Sequence, residues 1–337
     1  MKKTILITGG AGFIGRHVVE HFLRFYPSYH CLSLDNLSQA STYRLPDSIT
    51  SSENFTFIEA DVANYSTVLQ VLRHYRVVGV VNLAAYTHVD HSIQVPQEFV
   101  ENNVLSMVCL LEACRTYLKE QPLTSFRLLH VSTDEVFGSI QAPGLFSETH
   151  AYHPRSPYSA SKAAADHIAM AYHHTYQFPC IISYCTNNFG PYQRTEKLIP
   201  HTIFCALQQQ PIPIYGDGQQ VRDWIPVLDH VQALDLIFRR GKVGSQYGIS
   251  AHHELTNLAL VRYICQYLET VLGHPSGTLT NLITHVRDRP GHDARYALST
   301  VKIEQELAWK PKMKFKPYLK STIEWYLKHR DELINAT

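Results

Sequence analysis

The sequence predicts a doubly wound, parallel α/β sheet followed by a smaller α/β carboxyl-terminal substrate domain, on three observations. A β-rich run at the amino terminus passes straight into a glycine turn and an amphipathic helix. The next β-rich run ends in an acidic residue twenty positions after that turn. Beyond it, apolar runs of strand length alternate with segments of helical period as far as residue 185, the pattern of strands crossed by helices. A chain of 337 residues has room for about two domains at ~150 residues each.

Thr4–Thr8 forms the first strand, and Gly9-Gly10-Ala11-Gly12-Phe13-Ile14-Gly15 opens a helix that continues through Val18, Val19, Phe22 and Leu23. Gly9, Gly12 and Gly15 have the spacing that supplies a tight turn, close backbone approach to a pyrophosphate and close helix-to-strand packing, with the phosphates at the positive helix end. Phe13 and Ile14 lie inside that turn. The second strand, Cys31–Leu34, ends in Asp35 and Asn36. A carboxylate at this point accepts from both ribose hydroxyls and repels a 2′-phosphate, so NAD is expected rather than NADP. Phe55–Glu59 runs into Asp61 and Val62, and Val78–Ala85 is a further buried strand carrying Leu83 and Ala84. Both ends are candidates for lining the adenine and nicotinamide halves of the cofactor. Helices are expected near 66–75, 97–119 and 158–176, with strands near 127–132 and 180–185. This is a Rossmann-type arrangement.

The chemistry is concentrated between residues 132 and 162. Arg127–Val131 reads as a strand, so Ser132, Thr133, Asp134 and Glu135 fall at its carboxyl end, where open α/β sheets bind ligands. Tyr158 and Lys162 are four apart on a helix begun after Ser156-Pro157 and share one face. A lysine charge is expected to lower the phenol's pKa, so that tyrosinate takes a proton from a sugar hydroxyl while hydride leaves for NAD. The adjacent acids Asp134 and Glu135 offer an acid and a base.

Toward the carboxyl terminus, Lys197, Arg222, Arg289 and His292 are donors able to bind a diphosphate or a base. Glycine- and proline-rich loops at 190–191 and 211–218 punctuate the region, and Leu255–Leu268 reads as a helix. Tyr247-Gly248-Ile249 looks like another strand of the main sheet. The expected division is therefore 1–188 for the cofactor and 189–337 mainly for the substrate, with the chain crossing back to the sheet at about 225–250.

Composition excludes several classes. A net charge of +1, from 30 basic and 29 acidic residues, offers no global field for nucleic acid or an anionic membrane. No apolar run reaches the ~20 residues of a membrane-spanning helix. Seven cysteines without paired metal spacing, and with no secretory leader ahead of them, suit buried thiols in a reducing cytoplasm. Twenty scattered histidines give no metal motif, and none is expected.

The ordered motifs TGGAGFIG (8–15), LDNL (34–37), STDEVFG (132–138), YSASKAAAD (158–166), NNFGPYQ (187–193), EKLIP (196–200), PIYGDGQQVRDWI (213–225) and VRDRPGHDARYAL (286–298) resemble the extended short-chain dehydrogenase/reductase superfamily. Within it the chain is most similar to the nucleotide-sugar 4,6-dehydratases, in particular the group acting on dTDP-glucose. The resemblance implies that Thr133 bonds the sugar's 4-hydroxyl, Asp134 protonates the departing 6-hydroxyl, Glu135 removes the carbon-5 proton, and Tyr158 with Lys162 drives hydride transfer from carbon 4 to NAD. It also places His88, Asn187, Lys197, Leu198, Tyr215, Arg222, Asn257, Arg289 and His292 around the nucleotide sugar. A homodimer is implied too, pairing helices 97–119 and 158–176 into a four-helix bundle. The chain departs from the family pattern at Tyr86, where an acid is usual, at His91, usually arginine, and at Arg194-Thr195. Those departures leave UDP or another nucleotide open. An epimerase or decarboxylase would share the fold and the Tyr-Lys pair but has no need of Asp134-Glu135, and a non-catalytic NAD-binding regulator would tolerate losing them.

Overall fold

A computed structural model of the protein describes residues 2–38 and 45–331. Strands β1 (Lys3–Thr8), β2 (Tyr29–Asp35), β3 (Phe55–Glu59), β4 (Val77–Asn82), β5 (Leu128–Val131) and β6 (Cys180–Cys185) follow the predicted order. Further on come β7 (Asn187–Phe189), β8 (Ile212–Tyr215), β9 (Val221–Pro226), β10 (Gln246–Ile249), β11 (Glu254–Thr256) and β12 (Ile283–Val286). Seven of them form one sheet in the order β10-β6-β5-β4-β1-β2-β3, and every neighbouring pair is parallel. The direction of winding reverses beside β1, which leaves a crevice at the carboxyl ends of β1 and β4.

Alternation along the strands builds a core on each side. In β1, Ile5 and Ile7 join the cluster that contains Val18, Phe22 and Leu234, whereas Leu6 joins the opposite cluster with Leu72, Leu110 and Tyr117. A strand buried on both faces must be apolar at successive positions, and all three side chains are fully buried. The strand at Gln246–Ile249 pairs with β6 in the main sheet, Gln246 facing Ile182. The remaining strands make a three-stranded sheet, β11-β9-β7, and a β8-β12 pair. These cover a third apolar cluster, in which Ile203, Ile214, Trp224, Leu260, Ile264 and Leu319 pack together.

Two helices differ from the sequence expectation. The helix expected at 97–119 is an α-turn at Pro96–Phe99, a π-helical stretch at Val100–Leu105 and an α-helix at Ser106–Glu120. The wider turn sets Asn103 inward at 4% exposure. Its amide there accepts from the Tyr86 N–H (2.8 Å) and donates to the Tyr86 carbonyl (3.1 Å) and Ser161 Oγ (2.9 Å), so side-chain bonding holds the irregularity. The helix expected from Leu255 begins at Asn257, because the Thr256 hydroxyl caps it by accepting from Ala259 N–H at 3.2 Å. Among the described residues no helix is long and apolar enough to cross a membrane.

Candidate active site

The crevice opens into a cleft lined at one end by Gly9, Gly12, Phe13, Ile14 and Gly15, and at the other by Thr133, Asp134, Glu135, Tyr158 and Lys162. Each glycine has a separate reason. Gly9 holds φ +69°, and a Cβ there would stand 2.7 Å from the Ala84 nitrogen. At Gly15 a Cβ would collide with the Gly9 carbonyl oxygen at 2.0 Å, so helix and turn touch only through glycine. A Cβ on Gly12 would meet nothing closer than that same carbonyl, at 3.2 Å. Gly12 is also the N-cap of the helix Phe13–Phe25 and contributes no capping side chain. The first-turn amides are thus left for an anion beside an open backbone.

Asp35 is 6% exposed. Its Oδ2 accepts from Ala11 N–H (3.0 Å) and its Oδ1 from Leu37 N–H (2.9 Å). Asp35 lines the cleft, where a carboxylate suits ribose hydroxyls. Asp61 Oδ1 accepts from Ala63 N–H at 2.7 Å and its Oδ2 from the Asn36 amide at 3.2 Å, so Asn36 and Asp61 form one polar rim. Val62, Leu83 and Ala84 complete this wall. The donors, the open glycine and the carboxylate fit NAD.

At the chemical end, Thr133 caps the short 3₁₀ turn Asp134–Phe137. Its hydroxyl accepts from Glu135 N–H and donates to Asp134 Oδ1, each at 3.3 Å. The two carboxyls have different surroundings. Burial, the neighbouring Glu135 and Asp223 push Asp134 well above the usual carboxylate range, with Arg222 and the Thr133 hydrogen bond opposing. Burial also raises Glu135, but three cations, Arg222, Lys197 and Arg289, oppose it. One carboxyl is therefore held as an acid while the other ionises more readily.

The expectation for Tyr158 needs correction. Burial, and then the charge of Glu135, hold its phenol well above the ordinary range rather than below it. The Lys162 ammonium donates to the Val131 carbonyl at 2.8 Å and is itself shifted down by burial. The two side chains do line one cleft on one helix, Pro157–Tyr176.

The substrate-side residues fall into two groups. Asn187 and Lys197 line the cleft, and Lys197 donates to the Thr87 carbonyl at 2.9 Å. His88, Leu198, Tyr215, Arg222, Asn257, Arg289 and His292 lie outside the lining. Arg289 makes a two-pronged ion pair with Asp90 (2.6 and 2.8 Å) and stacks its guanidinium 5.1 Å above the Tyr215 ring. Tyr215 also donates to Asp90 Oδ2 at 3.1 Å. His292 bonds Asp288 through Nδ1 at 2.7 Å, and its ring is 6.3 Å from that of Tyr215. Arg222 donates to the carbonyls of Val221 and Asp293 (2.8 and 2.9 Å) beneath Tyr296. His88 Nδ1 caps the helix Val89–Gln94 by accepting from His91 N–H at 3.0 Å. Leu198 packs against the third apolar cluster, and the Asn257 N–H donates to the Gln220 carbonyl at 3.0 Å.

Thr186, Asn188, Gln193 and Glu196 line the cleft and were not singled out from the sequence. Thr186 Oγ1, Asn187 Oδ1, Asn188 Oδ1 and Asp134 Oδ2 are buried with no hydrogen-bond partner, which suits a polar ligand. The signal was available: the rule that points to the carboxyl end of β5 points equally to the residues after β6. Of the family departures, Tyr86 and Arg194 line the cleft, and Arg194 pairs with Glu196 at 2.6 Å. His91 sits 5.8 Å from the Phe99 ring, which in turn is 6.4 Å from Tyr158, and Thr195 is buried.

Known proteins share both the sequence and this fold. A dTDP-glucose 4,6-dehydratase of Neisseria gonorrhoeae is 44% identical over 99% of this chain and 99% of its own length. The crystal structure of a dTDP-glucose 4,6-dehydratase from Streptomyces venezuelae with NAD bound superposes with TM-score 0.91 at 36% identity, covering 99% of this chain and 100% of that one. A Bacillus anthracis dTDP-glucose 4,6-dehydratase in complex with NAD gives TM-score 0.88 at 38% identity, over 99% and 100% of the two chains. Residues 6–322 match the family model described as GDP-mannose 4,6 dehydratase. With the doubly wound sheet, the glycine cradle and the paired carboxyls opposite Tyr158 all within that span, the chain belongs to the GDP-mannose 4,6 dehydratase family of NAD-dependent nucleotide-sugar enzymes.

Proposed function

We propose that the protein converts dTDP-glucose to dTDP-4-keto-6-deoxyglucose and water, as an NAD-dependent hydro-lyase. One observation carries this reading: two adjacent carboxyls, each acted on by a different set of charges, stand in the same cleft as the Tyr158-Lys162 pair and the glycine cradle. An epimerase has no task for such a pair. Bound NAD supplies a hydride acceptor at carbon 4 and later the same hydride for carbon 6, so no external oxidant is consumed. The chain's own residues handle the protons. Tyr158, in its ionised form, takes the proton of the 4-hydroxyl and becomes the neutral phenol, with the Thr133 hydroxyl orienting that oxygen. A carbon-5 proton beside an ordinary carbinol is too weakly acidic to remove, but beside a 4-ketone it becomes enolisable. Glu135, the more readily ionised carboxyl, removes it, and Asp134, held protonated, delivers its proton to the departing 6-hydroxyl.

In this reading the first 188 residues carry NAD and residues 189–337 mainly carry the nucleotide sugar, with the segment near 225–250 returning to the sheet. Asn187, Lys197, Arg222 and Arg289 supply donors for the diphosphate, His88, Asn257 and His292 flank it, and Leu198 and Tyr215 pack toward the base. Incubation with dTDP-glucose or UDP-glucose, without added NAD, tests the reading by loss of water in the mass spectrum and by the alkaline absorbance of a 4-keto-6-deoxy sugar. Turnover of dTDP-glucose alone is expected. Turnover of UDP-glucose alone would keep the chemistry and overturn the base, and turnover of neither, even with NAD supplied, would overturn the reading.

The same proposal makes the protein a cytoplasmic homodimer. Seven unpaired thiols suit a reducing compartment, which fractionation against a cytoplasmic marker would check. Val100 and Leu105 are 54% and 52% exposed on the Pro96–Glu120 helical run, and Tyr176 is 49% exposed at the end of the Tyr158 helix, apolar surface that pairing with a second copy would cover. Light scattering should give twice the 38.4 kDa of one chain. Leu105→Glu should halve that mass, and a wild-type monomer at micromolar concentration would rule the dimer out.

A further inference from the structure

Beneath the cleft floor lies a polar network that the proposed chemistry does not use. Its centre is Asp166, four residues after Lys162 on the same helical face, at 0% exposure. Asp166 Oδ2 accepts from Ser132 Oγ (2.7 Å) and from the Tyr152 hydroxyl (3.2 Å). Its Oδ1 lies 3.3 Å from His130 Nε2. On the other side of its ring, His130 Nδ1 is 3.0 Å from the Asn82 amide, and Asn82 Oδ1 accepts from Thr8 Oγ1 at 2.5 Å. Thr8 Oγ1 in turn faces the N–H groups of Leu83 and Ala84 at 3.2 and 3.3 Å. The network therefore touches the end of β1 just before the glycine turn, the end of β4, the loop that carries Thr133 to Glu135, and the helix that carries Tyr158 and Lys162.

A buried carboxylate and a buried ammonium are each costly alone and tolerable together. Lys162 is 3% exposed, and Asp166, one turn along the same helix and beyond direct ion-pair distance, is the carboxylate whose charge acts on it. His130, buried between Asn82 and Asp166, is shifted down by burial and then by Lys162, against the hydrogen bond and charge of Asp166, a balance that favours Lys162 over the imidazole as the cation. We infer that Asp166 is a positioning residue: its carboxylate keeps Lys162 an ammonium and, through Ser132, fixes the Thr133–Glu135 loop opposite Tyr158. The second half of this inference rests on the proposed dehydratase reaction, while the first does not.

Among the described residues, the titratable groups beside Lys162 and Asp166 are Tyr158, Tyr152, Tyr184, His130 and Cys185, and none is a second carboxylate. Asp166→Asn keeps an acceptor for Ser132 and removes the charge. With ¹³C-labelled lysine in the enzyme, the Lys162 Cε resonance, identified by its loss in Lys162→Arg, reports the ammonium directly and needs no substrate. Its titration midpoint should fall by at least about one pH unit in Asp166→Asn and stay near wild type in Asp166→Glu. An unchanged midpoint in folded Asp166→Asn overturns the counter-charge role whether or not the protein is a dehydratase. Where wild type turns over dTDP-glucose, kcat of Asp166→Asn should drop about tenfold or more, with KM changed less than twofold. An equal kcat, or a loss carried by KM alone, overturns the positioning role and leaves the dehydratase reading standing. Should Asp166→Asn not fold, the comparison of Lys162→Met with Lys162→Met/Asp166→Asn decides the matter. The double variant should melt at the higher temperature, since it no longer buries an unpaired carboxylate, and a lower melting temperature overturns the pairing.

Discussion

Glu135→Gln is expected to stop the reaction after its first half. In a single turnover with dTDP-glucose, the near-ultraviolet absorbance of reduced NAD should rise and persist, and water loss should slow by about 10²–10⁴-fold, the usual contribution of a positioned base. Asp134→Asn should behave differently. Glu135 remains able to remove the carbon-5 proton, so in heavy water deuterium should enter carbon 5 while departure of the 6-hydroxyl becomes slow. The same assignment fixes the sign of the pH profile. Turnover rises as Glu135 loses its proton, at a pH above the ordinary range for a glutamate, since burial raises it. It falls again where Asp134 ionises, higher still, because burial and Glu135 raise that group well above its usual value. Asp134→Asn should remove that falling limb along with most of the rate. If Glu135→Gln kept more than a tenth of wild-type turnover, or if both variants exchanged carbon 5 equally, the division of labour between them would be wrong.

That division could not be read from adjacency. Asp134 and Glu135 are neighbours in sequence, and what separates them is which distant side chains fold against each. Arg222, Lys197 and Arg289 all act on Glu135, whereas Asp134 has Arg222 and the opposing Asp223. All four belong to the second half of the chain, and no local pattern carries their convergence. The sheet was legible because burial on both faces leaves a local mark: Ile5, Leu6 and Ile7 are apolar in succession, and Tyr247-Gly248-Ile249 could be assigned to the same sheet despite lying more than sixty residues beyond β6. The glycine turn was legible because backbone contacts such as Gly15 against Gly9 admit no side chain. The π-helical stretch at Val100–Leu105 left no such mark, since a single inward Asn103 sets it. The Asp90–Arg289 pair joins residues 199 apart, and only the folded chain reveals the acid paired with this proposed diphosphate donor. The phenol of Tyr158 was misjudged for a related reason. Spacing along a helix shows that Lys162 shares its face, but not that the ammonium turns to the Val131 carbonyl.

The raised proton affinity of the phenol sets what its removal should do. With Tyr158 held well above its ordinary range by burial and by Glu135, its proton affinity is high, so it accepts the 4-hydroxyl proton readily once ionised but is seldom ionised beforehand. Tyr158→Phe should therefore lower turnover by about 10³-fold, within the range for loss of a positioned base, while the purified protein still carries NAD. It should also abolish the rise in reduced NAD that Glu135→Gln reveals. Tyr158→Phe alone decides the order of events: if oxidation at carbon 4 precedes proton loss at carbon 5, this variant, with Glu135 intact, shows neither reduced NAD nor carbon-5 exchange. Ketone formation acidifies the neighbouring proton, so exchange without prior oxidation has no physical basis in this site. Carbon-5 exchange persisting in Tyr158→Phe at the wild-type rate would mean that another group takes the 4-hydroxyl proton. Glu135, whose charge already acts on the phenol, would be the first to examine, and reduced NAD appearing in Tyr158→Phe but not in Tyr158→Phe/Glu135→Gln would identify it.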